Sequence, residues 1–154
     1  MSPRNTRTGA IFERIIVPAL QAQSDFYDFF ARGQTTGKSN PRALPDPFRP
    51  GRDHLLDILV IEKPSSAKIG IAVKWQQSSG TAEEKIALEF LRLAKLVEAG
   101  HLHKGYIVLG GTGWTLMTYF LSPDFPREFS SPGASKVSVL EFNSLITKIN
   151  TRSL

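Results

Sequence analysis

Between residues 9 and 22, Ile11, Phe12, Ile15, Ile16, Ala19 and Leu20 recur every three to four positions, the spacing of one helix face. Thr8 stands where a cap belongs, and Pro18 is expected to kink or end this helix. Phe26, Tyr27, Phe29 and Phe30 form an aromatic cluster read as a further helical turn. From Leu55 the period changes. Leu55–Ile61 is a short β-rich apolar run stopped by Lys63-Pro64-Ser65-Ser66, and Ile69–Trp75 reads as its hairpin partner. Residues 82–98 give the clearest helix, with Ile86, Phe90, Leu93, Ala94 and Val97 on one stripe and Gly100 just past its end. Gly105–Leu109 is a continuous apolar run, as in a strand buried on both faces. A turn at Gly110-Gly111-Thr112-Gly113, a short helix from Trp114 to Leu121, a strand at Val137–Leu140 and a closing helix near 142–149, capped by Asn143 or Ser144, complete the chain.

The order α-β-β-α-β-α-β-α, one hairpin followed by crossovers, predicts an α/β fold with a central mixed β-sheet flanked by helices. With 154 residues the chain has the length of one domain, 1–154. It contains no Cys, which excludes disulfides, thiolate zinc sites and cysteine nucleophiles together. No apolar run approaches the roughly 18 residues a membrane span needs, and the basic start lacks the apolar stretch of a secretory signal. A cytoplasmic, intracellular protein with no membrane partner is expected.

Charge adds a direction. Lys and Arg number 19 against 14 Asp and Glu, a net +5, and a basic balance favours a polyanionic partner. Residues 32–52 carry five of the basic residues and one acid, Asp46, within a Gly- and Pro-rich stretch. This segment reads as an irregular arm or loop able to follow a phosphate backbone, with Lys38, Arg42, Arg49 and Arg52 as candidate DNA contacts; a solvated loop with ordinary surface charge is the other reading.

Candidate chemistry centres on Lys74, a charge inside an apolar strand, where it costs several kcal/mol unless paired or solvated in a cleft. Ala72, Lys74 and Gln76 share one strand face, and Asp57 is similarly embedded in the neighbouring run, so Asp57 and Lys74 can face one cleft. A structural ion pair fits these two residues equally well. Glu83 falls in the middle of the apolar stripe of the 82–98 helix, which starts a few residues after Lys74, so its carboxylate is expected to reach the same cleft; Glu84 lies about a quarter turn away. Alternatively, Glu83 is an acid favoured by the helix dipole. Gln76 is placed to hold water or phosphate, or is an edge amide. His101 and His103 read as loop residues, the 110–113 glycines as a turn, and Trp75 and Trp114 as core aromatics rather than base-stacking platforms.

Asp57 followed by Ala72-Val73-Lys74 on a hairpin, then a helix and a buried strand, resembles the core of the PD-(D/E)XK, or restriction-endonuclease-like, nuclease superfamily. The strings from Lys74 to Lys85 and from Tyr106 to Trp114 look like segments of phage and bacterial members, and the resemblance spans roughly residues 9–120. It implies a restriction-endonuclease-like core in a prokaryotic or phage-encoded protein and a DNA endonuclease using Mg²⁺, with Mn²⁺ as a substitute. By the same resemblance Asp57 is the metal-binding Asp, Lys74 the Lys that handles the attacking water, Val73 a carbonyl ligand and Glu13 an accessory carboxylate. Ala72 departs from the pattern by occupying the Glu position. Members that supply this carboxylate from the following helix make Glu83 the first candidate for a migrated ligand and Glu84 the second. Cutting two strands implies a homodimer or higher homo-oligomer. Ala72 also leaves open a catalytically inactive basic DNA-binding or assembly module on the same fold, and an interaction protein unrelated to nucleic acid stands as a third reading.

Overall fold

The computed structural model describes residues 12–31, 40–76 and 81–154. Among them, five strands form one sheet in the order β1-β4-β5-β6-β7: β1 (Tyr27–Ala31), β4 (Ile58–Glu62), β5 (Ala67–Trp75), β6 (Lys104–Gly110) and β7 (Val137–Glu141). β1, β4 and β5 are antiparallel neighbours, whereas β5, β6 and β7 run parallel. The expected mixed sheet and hairpin are both present. Two short strands, β2 (Ala43–Pro45) and β3 (Asp53–Leu55), pair as a separate antiparallel ribbon.

The period of two along β5 divides the interior into two cores. Ile69, Ile71 and Val73 join Ile58, Val60, Tyr106 and Val108 on one face, which is covered by α1 (Val17–Gln21) and α5 (Phe142–Asn150) through Val17, Leu20, Leu145 and Ile149. Ala72 joins Leu59, Ile107, Leu109, Val137 and Val139 on the other, beneath α2 (Ile86–Glu98) and its buried Ile86, Phe90, Leu93 and Ala94. Each fully buried aliphatic or aromatic side chain contributes about 1.5–3 kcal/mol by leaving water, so the stripe of α2 is enough to hold that helix on the sheet. By the same alternation Lys74 falls on the α2 face. The 3-10 turn Pro132–Lys136 packs so tightly on α2 that a Cβ on Gly133 would sit 1.9 Å from the Ala94 carbonyl oxygen.

Several local expectations are corrected. The aromatic cluster is the edge strand β1, with Tyr27 paired to Glu62 and Ala31 to Ile58, because sheet pairing with β4 outweighs the local helical reading of five residues. The Leu55–Ile61 run is split at Leu56-Asp57, with Leu55 ending β3 and Ile58 opening β4. The first helix, described from Phe12, begins as a π-helical turn to Ile16 and continues as α1 through Pro18, which sits in its first turn where its missing N–H costs little; Thr8 lies outside the described residues. Thr81–Lys85 wind as a 3-10 turn before α2. The short helix starts at Met117 rather than Trp114 and forms α3 (Met117–Leu121), ahead of α4 (Asp124–Arg127). α5 starts after Glu141 without a side-chain cap from Asn143 or Ser144. No helix among the described residues is long and apolar enough to cross a membrane.

Candidate active site

The break at Leu56-Asp57 has a visible cause. Arg42, expected on a solvent-exposed arm, is buried, and its guanidinium donates to the carbonyl oxygens of Leu56 (2.9 Å) and Asp57 (3.3 Å). Those carbonyls are thereby withdrawn from the strand ladder, and the chain kinks at the mouth of β4. Asp57, half-buried at that kink, turns its carboxylate across the hairpin, where Oδ2 accepts a hydrogen bond from the Val73 backbone N–H at 2.8 Å. Val73 lies opposite Val108 of β6, and Lys74 follows it toward the α2 face. Arg42 therefore shapes the site from inside and is unavailable as the phosphate contact expected from the charge pattern.

The acid that meets Lys74 is Glu89, from the first turn of α2. Lys74 Nζ stands 4.0 Å from Glu89 Oε2, with the lysine side chain 32% and the glutamate side chain 9% exposed. Arg92, one turn further along α2, donates to the same Oε2 at 2.6 Å, and His54 of β3 brings Nε2 to 3.6 Å from Oε1. Burial alone would raise the Glu89 carboxyl; His54, Lys74 and Arg92 together outweigh it and hold its pKa below the ordinary value. Glu89 is thus an anion at neutral pH, with three basic groups around it. Sequence reasoning missed it because it lies about a third of a turn from Glu83, the position read as the middle of the apolar stripe. The available signal was the Glu89/Arg92 pair at i, i+3 inside the apolar run from Ile86 to Leu93.

Glu83 does face inward and is 8% exposed, as helical phase predicted, but its carboxylate is spent on a loop. Oε1 accepts from the Thr115 backbone N–H (2.8 Å), the Thr115 hydroxyl (2.9 Å) and Gln76 Nε2 (3.3 Å), and Oε2 accepts from the Leu116 N–H (2.9 Å). The backbone N–H of Thr115, then its hydroxyl, the Leu116 N–H and Gln76 lower the Glu83 pKa against the opposing effect of burial. Thr115 and Leu116 stand just ahead of α3, which begins at Met117, so Glu83 satisfies N–H groups that no helical carbonyl reaches. Gln76, expected on the Lys74 face to hold water or phosphate, is buried and donates to Glu83 and to the Gly113 carbonyl oxygen at 2.8 Å. Gly111, at φ +91°, makes this turn possible, because a Cβ there would meet the Gln76 carbonyl oxygen at 2.2 Å. Glu83 and Gln76 form a latch beside the Asp57–Lys74 site.

The remaining candidates are dispersed. Glu84 is exposed. Glu13 lies in the π-helical turn Phe12–Ile16. Lys38 falls outside the described residues. Arg49 and Arg52 are exposed on the turn between β2 and β3, where Arg49 Nε donates to Asp46 Oδ2 at 2.7 Å. His103 accepts from the Lys68 backbone N–H at 2.9 Å, and Trp114 donates to the Gly110 carbonyl at 2.7 Å, so both have structural partners.

Three buried or partly buried carboxylates, Asp46, Glu83 and Glu89, share a lowered pKa, for Asp46 chiefly through the Phe48 backbone N–H. A carboxylate whose folded pKa lies below its unfolded one stabilises the fold above the unfolded value and loses that contribution as pH falls through the folded value. Stability is therefore expected to be level above about pH 5 and to decline below the ordinary carboxylate range, about 3.9–4.3. Urea midpoints measured from pH 6 to pH 3 should show this, and Glu83→Gln should flatten the decline. A midpoint independent of pH would mean that these hydrogen bonds are equally available to the unfolded chain.

Among the described residues no three His, Asp or Glu side chains converge as a metal-holding group. Two are tied to the strand segment Val73-Lys74: Asp57 through its bond to the Val73 N–H, and Glu89 through its ion pair with Lys74. Mg²⁺ commonly takes one or two protein carboxylates and keeps several of its waters, so the chemistry of this donor pair fits such an ion. A family model described as a PD-(D/E)XK nuclease superfamily domain matches residues 50–153. No curated protein matches the chain. The match begins further along the chain than the resemblance read from the sequence, and it takes in the ribbon strand β3, Asp57, Lys74, α2 with Glu89, and the chain through α5. Spanning well over half of the 154 residues, and falling on a mixed sheet with an acid at the mouth of β4 and a lysine on the neighbouring β5, it assigns the chain to the PD-(D/E)XK nuclease superfamily.

Proposed function

We propose that the protein is a Mg²⁺-dependent DNA endonuclease with Asp57, Glu89 and Lys74 as its centre, Mn²⁺ substituting for Mg²⁺. The observation that carries this reading is the approach of Lys74 Nζ to 4.0 Å from a helix-borne Glu89, on a strand whose Val73 N–H holds the Asp57 carboxylate, in a chain with Ala72 at the usual Glu position. Glu89 takes the migrated-carboxylate role expected of Glu83, and Val73 and Glu13 remain secondary candidates. A bound Mg²⁺ contributes Lewis acidity and acidified water. Asp57 and Glu89 provide the hard oxygen ligands, and Asp57 is oriented for this by the Val73 N–H. Lys74, partly exposed beside Glu89, donates toward the attacking water or the scissile phosphate and compensates charge as it develops.

The test is incubation with supercoiled plasmid, with and without Mg²⁺. Nicked or linear product that requires the metal supports the reading. DNA retained without cleavage favours a catalytically inactive DNA-binding or assembly module, for which Ala72 and the absence of a three-ligand cluster among the described residues speak. A duplex cutter with one site per domain would act as a homodimer or larger oligomer, which sedimentation on DNA would detect.

Exposed Arg49 and Arg52 are the proposed phosphate contacts of the former arm, together with Lys38. Replacing both arginines by Gln should flatten the slope of log K against log salt by roughly 0.9 per lost phosphate contact, about equally for all sequences. An unchanged slope would leave the turn as solvated surface.

A further inference from the structure

The β2–β3 ribbon is too small to be stable alone, yet it is joined to α2 by polar contacts that end on one carboxylate. Asp46, with a side chain of 0% exposure, receives the Phe48 N–H (2.9 Å) and Arg49 Nε (2.7 Å) and stands 3.9 Å from Arg92 Nε. The Arg92 guanidinium also lies over the Phe48 ring, 5.3 Å from its centroid, and its NH1 holds Glu89 Oε2. From the other side of the ribbon His54 reaches Glu89 Oε1, and the segment carrying the ribbon is tied to the kink at Asp57 by Arg42. Both oxygens of Glu89 therefore face groups whose positions the ribbon sets.

Resting on the proposed role of Glu89 as a metal-binding carboxylate, we infer that the β2–β3 ribbon orients that carboxylate, with His54 and Arg92 as positioning residues and Asp46 as the anchor of Arg92. A glutamate on a helix has three rotatable side-chain bonds, and fixing them before the ion arrives removes an ordering cost from binding. Groups that hold a ligating carboxylate typically affect metal affinity by about 10–100-fold when removed. Asp57 needs no such device, because the Val73 N–H already fixes it.

Mn²⁺ titration of the full chain without DNA, followed by calorimetry at constant pH, separates the possibilities. His54→Leu, which keeps the volume and removes the ring nitrogens, is expected to weaken Mn²⁺ binding by about tenfold or more. His54→Gln, whose amide restores an N–H donor of similar reach, should recover most of the loss. Asp46→Asn should weaken binding without touching Glu89, and thermal melts of each variant report whether the fold is intact. If His54→Leu is folded and binds Mn²⁺ as well as the unaltered protein, or if His54→Gln is as weak as His54→Leu, the ribbon only packs against α2 and the inference fails. Should His54→Leu not fold, Asp46→Asn and His54→Gln decide: unchanged affinity in Asp46→Asn overturns the inference. Glu89→Gln distinguishes the two levels. If the unaltered protein binds Mn²⁺ and Glu89→Gln binds equally well, the role of Glu89 falls and this inference falls with it; if Glu89→Gln loses binding while the ribbon variants keep it, only the inference falls.

Discussion

Glu89→Gln is expected to reduce metal-dependent cleavage by at least the 10²–10³-fold or so that removal of one transition-state-stabilising group costs, with Mn²⁺ affinity falling in parallel. The amide retains size and hydrogen-bonding capacity but loses the charge that balances Lys74 at 4.0 Å and Arg92 at 2.6 Å. Glu83→Gln should behave differently. It places an NH₂ where four donors converge, so it should lower the melting temperature while leaving metal affinity within a few-fold of the unaltered protein. Because Ala72 precedes Lys74 by two residues on the same strand face and packs in the core beneath α2, Ala72→Glu combined with Glu89→Ala should return part of the lost activity. Full cleavage by Glu89→Gln, together with inactivity of a folded Glu83→Gln, would reverse the assignment of the two glutamates.

The contrast between those glutamates shows what the sequence could convey. The burial of Glu83 was legible, although Glu83 lies in the 3-10 turn that leads into α2 and not in that helix. Where a buried carboxylate then sends its two oxygens depends on donors remote in sequence, here Thr115 and Leu116, more than thirty residues away. Glu89 was obscured by the converse: its partners come from two separate elements, His54 from the β2–β3 ribbon and Lys74 from the central sheet. Lys74 itself was legible as a charge in an apolar strand, as was α2, whose stripe is long enough to exclude a competing period, while β5 and β6 were legible as short apolar runs bounded by turn residues.

The elements misread are those whose state is decided by a partner. β1 is five residues with three aromatics, and its extended form is set by pairing with β4. The basic count of residues 32–52 pointed outward, yet Arg42 is buried against the carbonyls of Leu56 and Asp57. Composition reports how many charges a segment carries; which of them reaches solvent is settled by unsatisfied acceptors elsewhere in the fold.

Lys74→Met should be nearly inactive, fold normally and still bind Mn²⁺. The side chain is 32% exposed and lies at the rim of the α2 face, so an unbranched apolar replacement fills its path without an internal cavity. Stability should change by less than about 1.5 kcal/mol, as for volume-conserving substitutions. Removing a cation from beside Glu89 leaves Arg92 and His54 near that carboxylate, so its negative charge attracts a divalent ion at least as strongly as before. Metal binding that is unchanged or tighter, combined with loss of cleavage of about 10²-fold or more, separates a lysine acting on water or phosphate from one that only neutralises an acid. If Mn²⁺ affinity fell with activity, Lys74 would be maintaining the geometry of the carboxylates; if activity survived, the 4.0 Å pair would be a structural ion pair and the chemistry would require another donor.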